Sequence, residues 1–213
     1  MELNDVYVTS DTHFGHRKVS EIRGFATTDD HDLHLIERWQ ETVPPNATVF
    51  VLGDIAGRRD DHKHALNILA GLNGTKYLIS GNHDAAHPVH VEAFEVLPDY
   101  QYVFRAVQPF IQVRLNIPSG KGVPGLRRIL MSHFPYAGTG GDSEGRAQDR
   151  WSQFRLPDMG QTLIHGHTHR ADQRGHLSDA GTPQVHVGLD AWDMAPVSMR
   201  AVADLILELE AIL

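Results

Sequence analysis

Residues 48–57 read TVFVLGDIAG. Val49, Phe50, Val51 and Leu52 form a short apolar run rich in β-branched and aromatic side chains, which predicts a buried strand. Gly53 ends the run and Asp54 follows at once. A carboxylate just past a buried strand stands where α/β proteins place their ligands, outside the carboxyl ends of the strands. One carboxylate can also offer an oxygen to each of two metal ions. Taken alone, Gly-Asp also reads as an ordinary turn, so the neighbouring segments decide what it is for.

The same kind of junction recurs. Val6 to Thr9 predicts a first strand that runs into Ser10-Asp11-Thr12-His13. On an extended segment, residues two apart project to the same side, so Asp11 and His13 are expected to reach one metal together. Tyr77-Leu78-Ile79 ends in Ser80-Gly81-Asn82-His83-Asp84, and Ile129-Leu130-Met131 ends in Ser132-His133. Leu163-Ile164-His165 ends in Gly166-His167-Thr168-His169. Asn82 offers a neutral oxygen ligand, and His83 can exchange a proton near neutral pH. His167 and His169 can reach neighbouring metals, whereas His165 is expected within its strand without a ligand role. His16 and Arg17 either line a phosphate pocket or are solvated.

Between these junctions the apolar residues follow helical spacing. His31 to Val43 carries Leu33, Leu35, Ile36, Trp39 and Val43, and Pro44-Pro45 stops it. Asp60 to Leu72 buries Ala65, Leu66, Ile68, Leu69 and Leu72 and leaves His62 and His64 at the surface. This β-α-β-α order predicts an α/β fold. A weak helical signal covers 87–97. Tyr100 to Leu115 predicts two strands of a second sheet, turned near Gln108-Pro109. Loops are expected over 119–125 and over 138–149, the latter placed to cover a site after His133. Gln184 to Val187 reads as a strand in which His186 is structural, and Ala201 to Leu213 as a helix packing one face on the domain. No linker divides the 213 residues, so a single domain spanning 1–213 is expected.

Composition narrows the chemistry. The chain has 19 basic and 27 acidic residues, a net charge of −8, and so no electrostatic footprint for non-specific nucleic-acid binding. Phosphates remain accessible if metal ions supply the positive charge. With 15 histidines and no cysteine, imidazole and oxygen ligands suit Mn, Fe, Zn, Ni or Co rather than a soft metal. There is no signal-peptide pattern and no apolar run of membrane-spanning length. A cytoplasmic protein with no membrane partner is expected.

Together the five junctions supply Asp11, His13, Asp54, Asn82, His133, His167 and His169, enough oxygen and nitrogen ligands for two metals sharing a carboxylate. The order Asp11-Thr12-His13, Gly53-Asp54, Gly81-Asn82-His83-Asp84, His133 and Gly166-His167-Thr168-His169 closely resembles the calcineurin-like metallophosphoesterase superfamily. SDTHFGH, LNGTKYLISGNHD and VGLDAWDMAPVS resemble its small bacterial and phage branch. The resemblance implies a four-layer α/β/β/α sandwich with two mixed β-sheets. It also implies that Asp11, His13, Asp54 and His169 hold one metal, that Asp54, Asn82, His133 and His167 hold the second, and that His83 faces the scissile phosphate as general acid. The added acidic and arginine blocks of protein Ser/Thr phosphatases are missing. The expected activity is a phosphodiesterase acting on small diesters such as cyclic nucleotides, with two divalent ions, Mn²⁺ first among them. A metal-held hydroxide would attack phosphorus and His83 would protonate the leaving alkoxide. A phosphomonoesterase and a non-catalytic metal-binding scaffold are the alternatives.

Overall fold

The computed structural model describes residues 3–57, 61–118, 124–138 and 150–212. The expected loop at 138–149 lies, beyond Gly138, outside these residues, as do 119–123 of the expected Gly/Pro loop. Strand β1 (Val6–Thr9) is followed by helices α1 (Arg17–Ile22) and α2 (Thr28–Thr42). Then come β2 (Thr48–Val51), α3 (His62–Gly71), β3 (Thr75–Ile79), α4 (Ala93–Gln101) and β4 (Val107–Gln108). The second half carries β5 (Phe110–Pro118), β6 (Pro124–Ser132), β7 (Leu163–His165), β8 (Gly175–Leu177) and β9 (Pro183–His186). It ends with β10 (Val197–Ser198) and α5 (Met199–Glu210).

Two mixed five-stranded sheets result, ordered β10-β1-β2-β3-β4 and β5-β6-β7-β9-β8. In the first, β1 to β4 are parallel and β10 is antiparallel to β1. In the second, β6, β7 and β9 are parallel, flanked by antiparallel β5 and β8. Alternation along β2 explains the layering: successive strand side chains point to opposite faces. Val49 and Val51 pack outward with Leu35 and Trp39 of α2, Leu66 and Leu69 of α3 and Tyr100 of α4. Phe50, with Val8 and Ile79, points inward to Leu115, Met131, Ile164 and Val185 of the second sheet. Helix α5 packs on β8 and β9 and also reaches β1 and β10. Its residues Val202, Ile206 and Leu209 join the core between the sheets. The α/β sandwich with two mixed sheets is the fold class the sequence implied.

Three local expectations need correction. Tyr100 does not begin a strand of the second sheet; it is buried in α4. The chain then adds β4 to the edge of the first sheet and changes sheets at Pro109, a residue that cannot donate to a ladder. Leu33 is exposed although its spacing placed it on the apolar side of α2. His62 is buried rather than superficial.

Candidate metal centre

The five junctions meet at one end of the sandwich. Past their strands, the β1 and β2 exits continue to pair: His13 N–H donates to the Asp54 carbonyl at 3.0 Å and Phe14 N–H to that of Ile55 at 2.9 Å. The second sheet closes on them where Leu189 N–H donates to the Ser10 carbonyl, and within that sheet Gly166 N–H donates to the His133 carbonyl. Gly166 lies so close to Ser10 and Asp11 that a Cβ there would collide with both side chains. That close approach is the reason for a glycine between the two sheets.

Two groups of side chains emerge that can each hold an ion: Asp11, His13 and His169, and Asp54, His133 and His167. All are buried except His169, whose side chain is 22% exposed. In the first group, His13 Nε2 is 3.1 Å from His169 Nε2, and His169 Nε2 is 3.6 Å from Asp11 Oδ1. In the second, His133 Nε2 is 3.2 Å from His167 Nδ1 and 3.3 Å from Asp54 Oδ2. Asp54 Oδ2 also lies 3.9 Å from His13 Nε2, so one oxygen faces both groups. Ligands about 2.0–2.2 Å from a shared ion sit roughly 3–3.5 Å from one another, which these spacings match.

The backbone shows how the side chains converge. Asp11, His13, Asp54, His167 and His169 all have positive φ, between 47° and 70°. They are five of the eight non-glycine residues in that region among those described. Left-handed backbone is costly for such residues and clusters at functional sites. Asp11 and His13 therefore meet through two left-handed turns and not through the alternation of an extended strand, and His167 and His169 diverge to different groups for the same reason.

The remaining hydrogen bonds fix the ring faces. His133 Nδ1–H donates to the Leu52 carbonyl at 2.6 Å, which turns Nε2 to Asp54. His169 Nδ1–H donates to Asp190 Oδ2 at 3.0 Å, which turns Nε2 to His13 and Asp11. Burial alone would push His133 down, but the charge and hydrogen bond of Asp54 raise it to about 9. Burial alone would raise Asp54, but His133, His83 and His13 hold it well below the usual carboxylate range. Among the buried polar atoms of the described residues without a protein partner is Asn82 Oδ1. An orphaned buried acceptor of this kind calls for an ion or water, and the acid–histidine donor sets fit divalent metals.

His83 is set apart from this. Its ring is exposed and its centroid is 5.4 Å from that of His13. Nδ1–H donates to the Gly57 carbonyl at 2.9 Å, leaving Nε2 for another partner. Its backbone N–H donates to Asp54 Oδ1 at 2.9 Å. Of the two adjoining basic residues, His16 caps α1, accepting from Val19 N–H, with its ring 5.5 Å from that of His13. Arg17 pairs at the surface with Glu21.

A profile of calcineurin-like phosphoesterases matches residues 5–171. The chain belongs to the calcineurin-like phosphoesterase family. This phosphoesterase is 40% identical over 197 residues to the gene 66 protein of Mycobacterium phage D29, covering 92% of this chain and 93% of the phage protein. To the gene 66 protein of Mycobacterium phage L5 it is 37% identical over 207 residues, covering 96% and 95%. Its fold is similar to the crystal structure of a protein of unknown function from Aquifex aeolicus, with a TM-score of 0.61, 22% identity and coverage of 94% and 98%. The family and the two acid–histidine groups together make the chain a metal-dependent phosphoester hydrolase. Among the described residues, no helix is long and apolar enough to cross a membrane.

Several residues that build the phosphoesterase's centre escaped the sequence reading. Asp84 accepts N–H bonds from Asp54, Ile55 and Gly81 at 3.0, 3.0 and 2.7 Å, locking the β2 and β3 exits together. Burial and the Asp54 charge raise its carboxyl to about 6. Asp190 is gripped by Arg23 through two 2.9 Å bonds. Arg23 also donates to the Asp11 and Thr12 carbonyls. His62 Nε2–H donates to the His83 carbonyl at 2.8 Å and His90 Nε2–H to that of Asn82 at 2.9 Å. Asp84 and Asp190 lie inside the quoted GNHD and VGLDAWD blocks, which was the available signal. Arg23, His62 and His90 had none.

Proposed function

We propose that this phosphoesterase hydrolyses small phosphodiesters, with cyclic nucleotides as one class, on two divalent ions, Mn²⁺ above the others. Asp11, His13, Asp54 and His169 hold one ion, and Asp54, Asn82, His133 and His167 hold the other. Asp54 is shared, a reading supported by its Oδ2 facing both His13 and His133. The unpartnered Asn82 Oδ1 supports its place in the second set. Bound ions supply charge for the phosphoryl oxygens and make water a stronger acid.

The chain's own work begins with His83. Its Nδ1–H is held by Gly57, so the proton it delivers to the leaving oxygen is carried on Nε2. The exposed ring next to His13 leaves that nitrogen open to substrate. A cavity of about 160 Å³ lies against Asn82 and His83, with room for a leaving group on that side. Glu92 is part of its wall. Glu92 is exposed there, and its screened charge disfavours a dianionic monoester slightly more than a monoanionic diester, which supports the diester reading. Assays of bis-p-nitrophenyl phosphate and p-nitrophenyl phosphate with added Mn²⁺ test it. The diester should turn over faster, EDTA should abolish activity, and Mn²⁺ should restore it better than Mg²⁺, since imidazole ligands suit Mn²⁺ better. Faster turnover of the monoester would reverse the assignment, and no turnover of either would leave a metal-binding scaffold.

A further inference from the structure

Behind Asp11, His13 and His169 lies a buried polar cluster that the hydrolytic chemistry does not itself use. Arg23 is its centre, with a side chain 1% exposed. The five N–H donors of a guanidinium meet five acceptor atoms here. Nε–H and one Nη2–H go to the two Asp190 oxygens, and the other Nη2–H goes to the Asp11 carbonyl at 2.8 Å. The Nη1 hydrogens go to the Thr12 carbonyl at 3.3 Å and to His31 Nε2 at 3.1 Å. A guanidinium cannot accept, so His31 Nε2 must, and the ring hydrogen of His31 sits on Nδ1. That Nδ1–H donates to Asp32 Oδ1 at 2.9 Å.

His31 and Asp32 are both buried at the start of α2. The Asp32 carboxylate also accepts Gly15 N–H, at 3.1 Å on Oδ1 and 2.9 Å on Oδ2. At its outer side it accepts His64 Nε2–H at 2.9 Å, from a half-exposed ring. Gly15 lies in the turn that follows His13, closed where His16 N–H donates to the His13 carbonyl at 3.0 Å. The cluster therefore stands behind every ligand of this group. It reaches Asp11 through the carbonyl that Arg23 holds, His13 through Gly15, and His169 through Asp190. The line Asp32–His31–Arg23–Asp190–His169 has one hydrogen-bonding sense: each ring hydrogen points at a carboxylate, and Arg23 donates to both sides. A reversed His31 ring would set N–H against N–H and leave a buried Arg23 donor unsatisfied, which is costly.

We propose that His31 and Asp32 are positioning residues for the ion of this group, acting through Arg23. Asp32 fixes the His31 ring, His31 orients the guanidinium, and the guanidinium holds Asp190 and the Asp11 backbone. Asp190 then turns His169 Nε2 toward the ion. The proposal rests on Asp11, His13 and His169 as the ligands of one ion. His133, in the other group, is held by the Leu52 carbonyl and not by this cluster. His31 and Asp32 should therefore act on one ion and leave the other alone.

The test titrates Mn²⁺ by calorimetry into metal-free wild type, His31→Phe, His31→Gln and Asp32→Asn. Phenylalanine keeps a ring and removes the acceptor, whereas glutamine offers Arg23 an amide oxygen in its place. The amide of Asp32→Asn sets its own N–H against one of the donors that Asp32 accepts. Wild type should show two binding events. In His31→Phe and Asp32→Asn one event should weaken about three- to tenfold, less than the ~10–100-fold typical of a ligand's direct partner, and the other should stay. His31→Gln should recover most of the loss. Combined with Asp190→Asn, His31→Phe should cost less than the product of the two single losses, because both act on one line. Thermal melts of the metal-free variants separate folding from ion binding, and if His31→Phe does not fold, Asp32→Asn carries the same comparison. A lower melting temperature with both affinities unchanged, equal weakening of both ions, or no recovery in His31→Gln would overturn the positioning role and keep the metal centre. Absence of Mn²⁺ binding in the wild type would overturn the metal-centre reading itself, and this proposal with it.

Discussion

The two halves of the centre are built from similar ligands and supported by different materials. On the side of Asp11, His13 and His169, the histidine is backed by a carboxylate, Asp190, which Arg23 in turn clamps. On the side of Asp54, His133 and His167, the histidine is backed by a neutral carbonyl, that of Leu52. The ring of Phe134 packs there at 5.1 Å from His133 and 4.9 Å from His167. The first half is backed by charge and partly open; the second is backed by a neutral carbonyl and an aromatic ring and is closed. A carboxylate behind an imidazole raises its basicity as a ligand, and in the proposed ligand sets Asp11 stands in the first half where neutral Asn82 stands in the second. The difference teaches that the halves are not interchangeable: the first should hold its ion more tightly, and chelation should empty the site in two steps.

Asp54 Oδ2 faces both halves, so Asp54→Asn should have the largest effect. Turnover of bis-p-nitrophenyl phosphate should fall to background and metal content should drop, while circular dichroism stays that of the wild type. Wild-type rate with a full metal complement would dissolve the shared-ligand account. His83 belongs to neither half. His83→Ala should keep both ions yet lose ~10²–10⁴-fold in kcat/KM on a cyclic nucleotide, the usual contribution of general acid catalysis. Its loss on a nitrophenyl ester should be much smaller, because that leaving group needs no proton. Equal losses on both would make His83 a phosphate-orienting residue, and loss of metal would make it a support for the centre.

Asp190→Asn probes the asymmetry itself. Substitutions behind a ligand typically cost 10–100-fold in metal affinity, so one ion should bind that much more weakly and the other as before. Equal weakening of both would mean that the halves respond as one unit. The smallest effect concerns acid. Burial alone would raise the Asp190 carboxyl, but hydrogen bonds from His169 and Arg23 depress it. A depressed acid contributes stability above its unfolded pKa, roughly 3.9, and loses it as pH falls through the folded value. Metal-free wild type should therefore lose urea resistance below about pH 4, and Asp190→Asn should show a shallower loss.

How far the sequence could be read follows from the range of its signals. The strand exits that carry Asp54 and Asn82 were legible because an apolar strand and the glycine and polar residue that end it are neighbours in the chain. Helix α5 was legible because one face repeats over three turns. Tyr100 was misread because aromatic residues in loose alternation resemble a strand, and only packing on Phe104 and His62 shows the helix. Arg23 was invisible because its partner Asp190 is 167 residues away and nothing local marks an arginine as buried. The left-handed backbone at Asp11 and His13 was hidden for a related reason: these φ angles are imposed by pairing with the β2 exit, not preferred by the residues. The acids and histidines that the structure gathers could be named in advance, but the turn that aims them is a tertiary effect.

The central claim is a pair of unlike ion sites joined at Asp54. Crystals grown with Mn²⁺ and measured at its absorption edge test it directly through anomalous difference density. Two peaks are predicted, about 3.5–4 Å apart as in two-metal hydrolases. One should touch Asp11, His13 and His169, the other Asn82, His133 and His167, with Asp54 on both and His83 on neither. A single peak, or two peaks with Asp54 touching only one, would contradict the account.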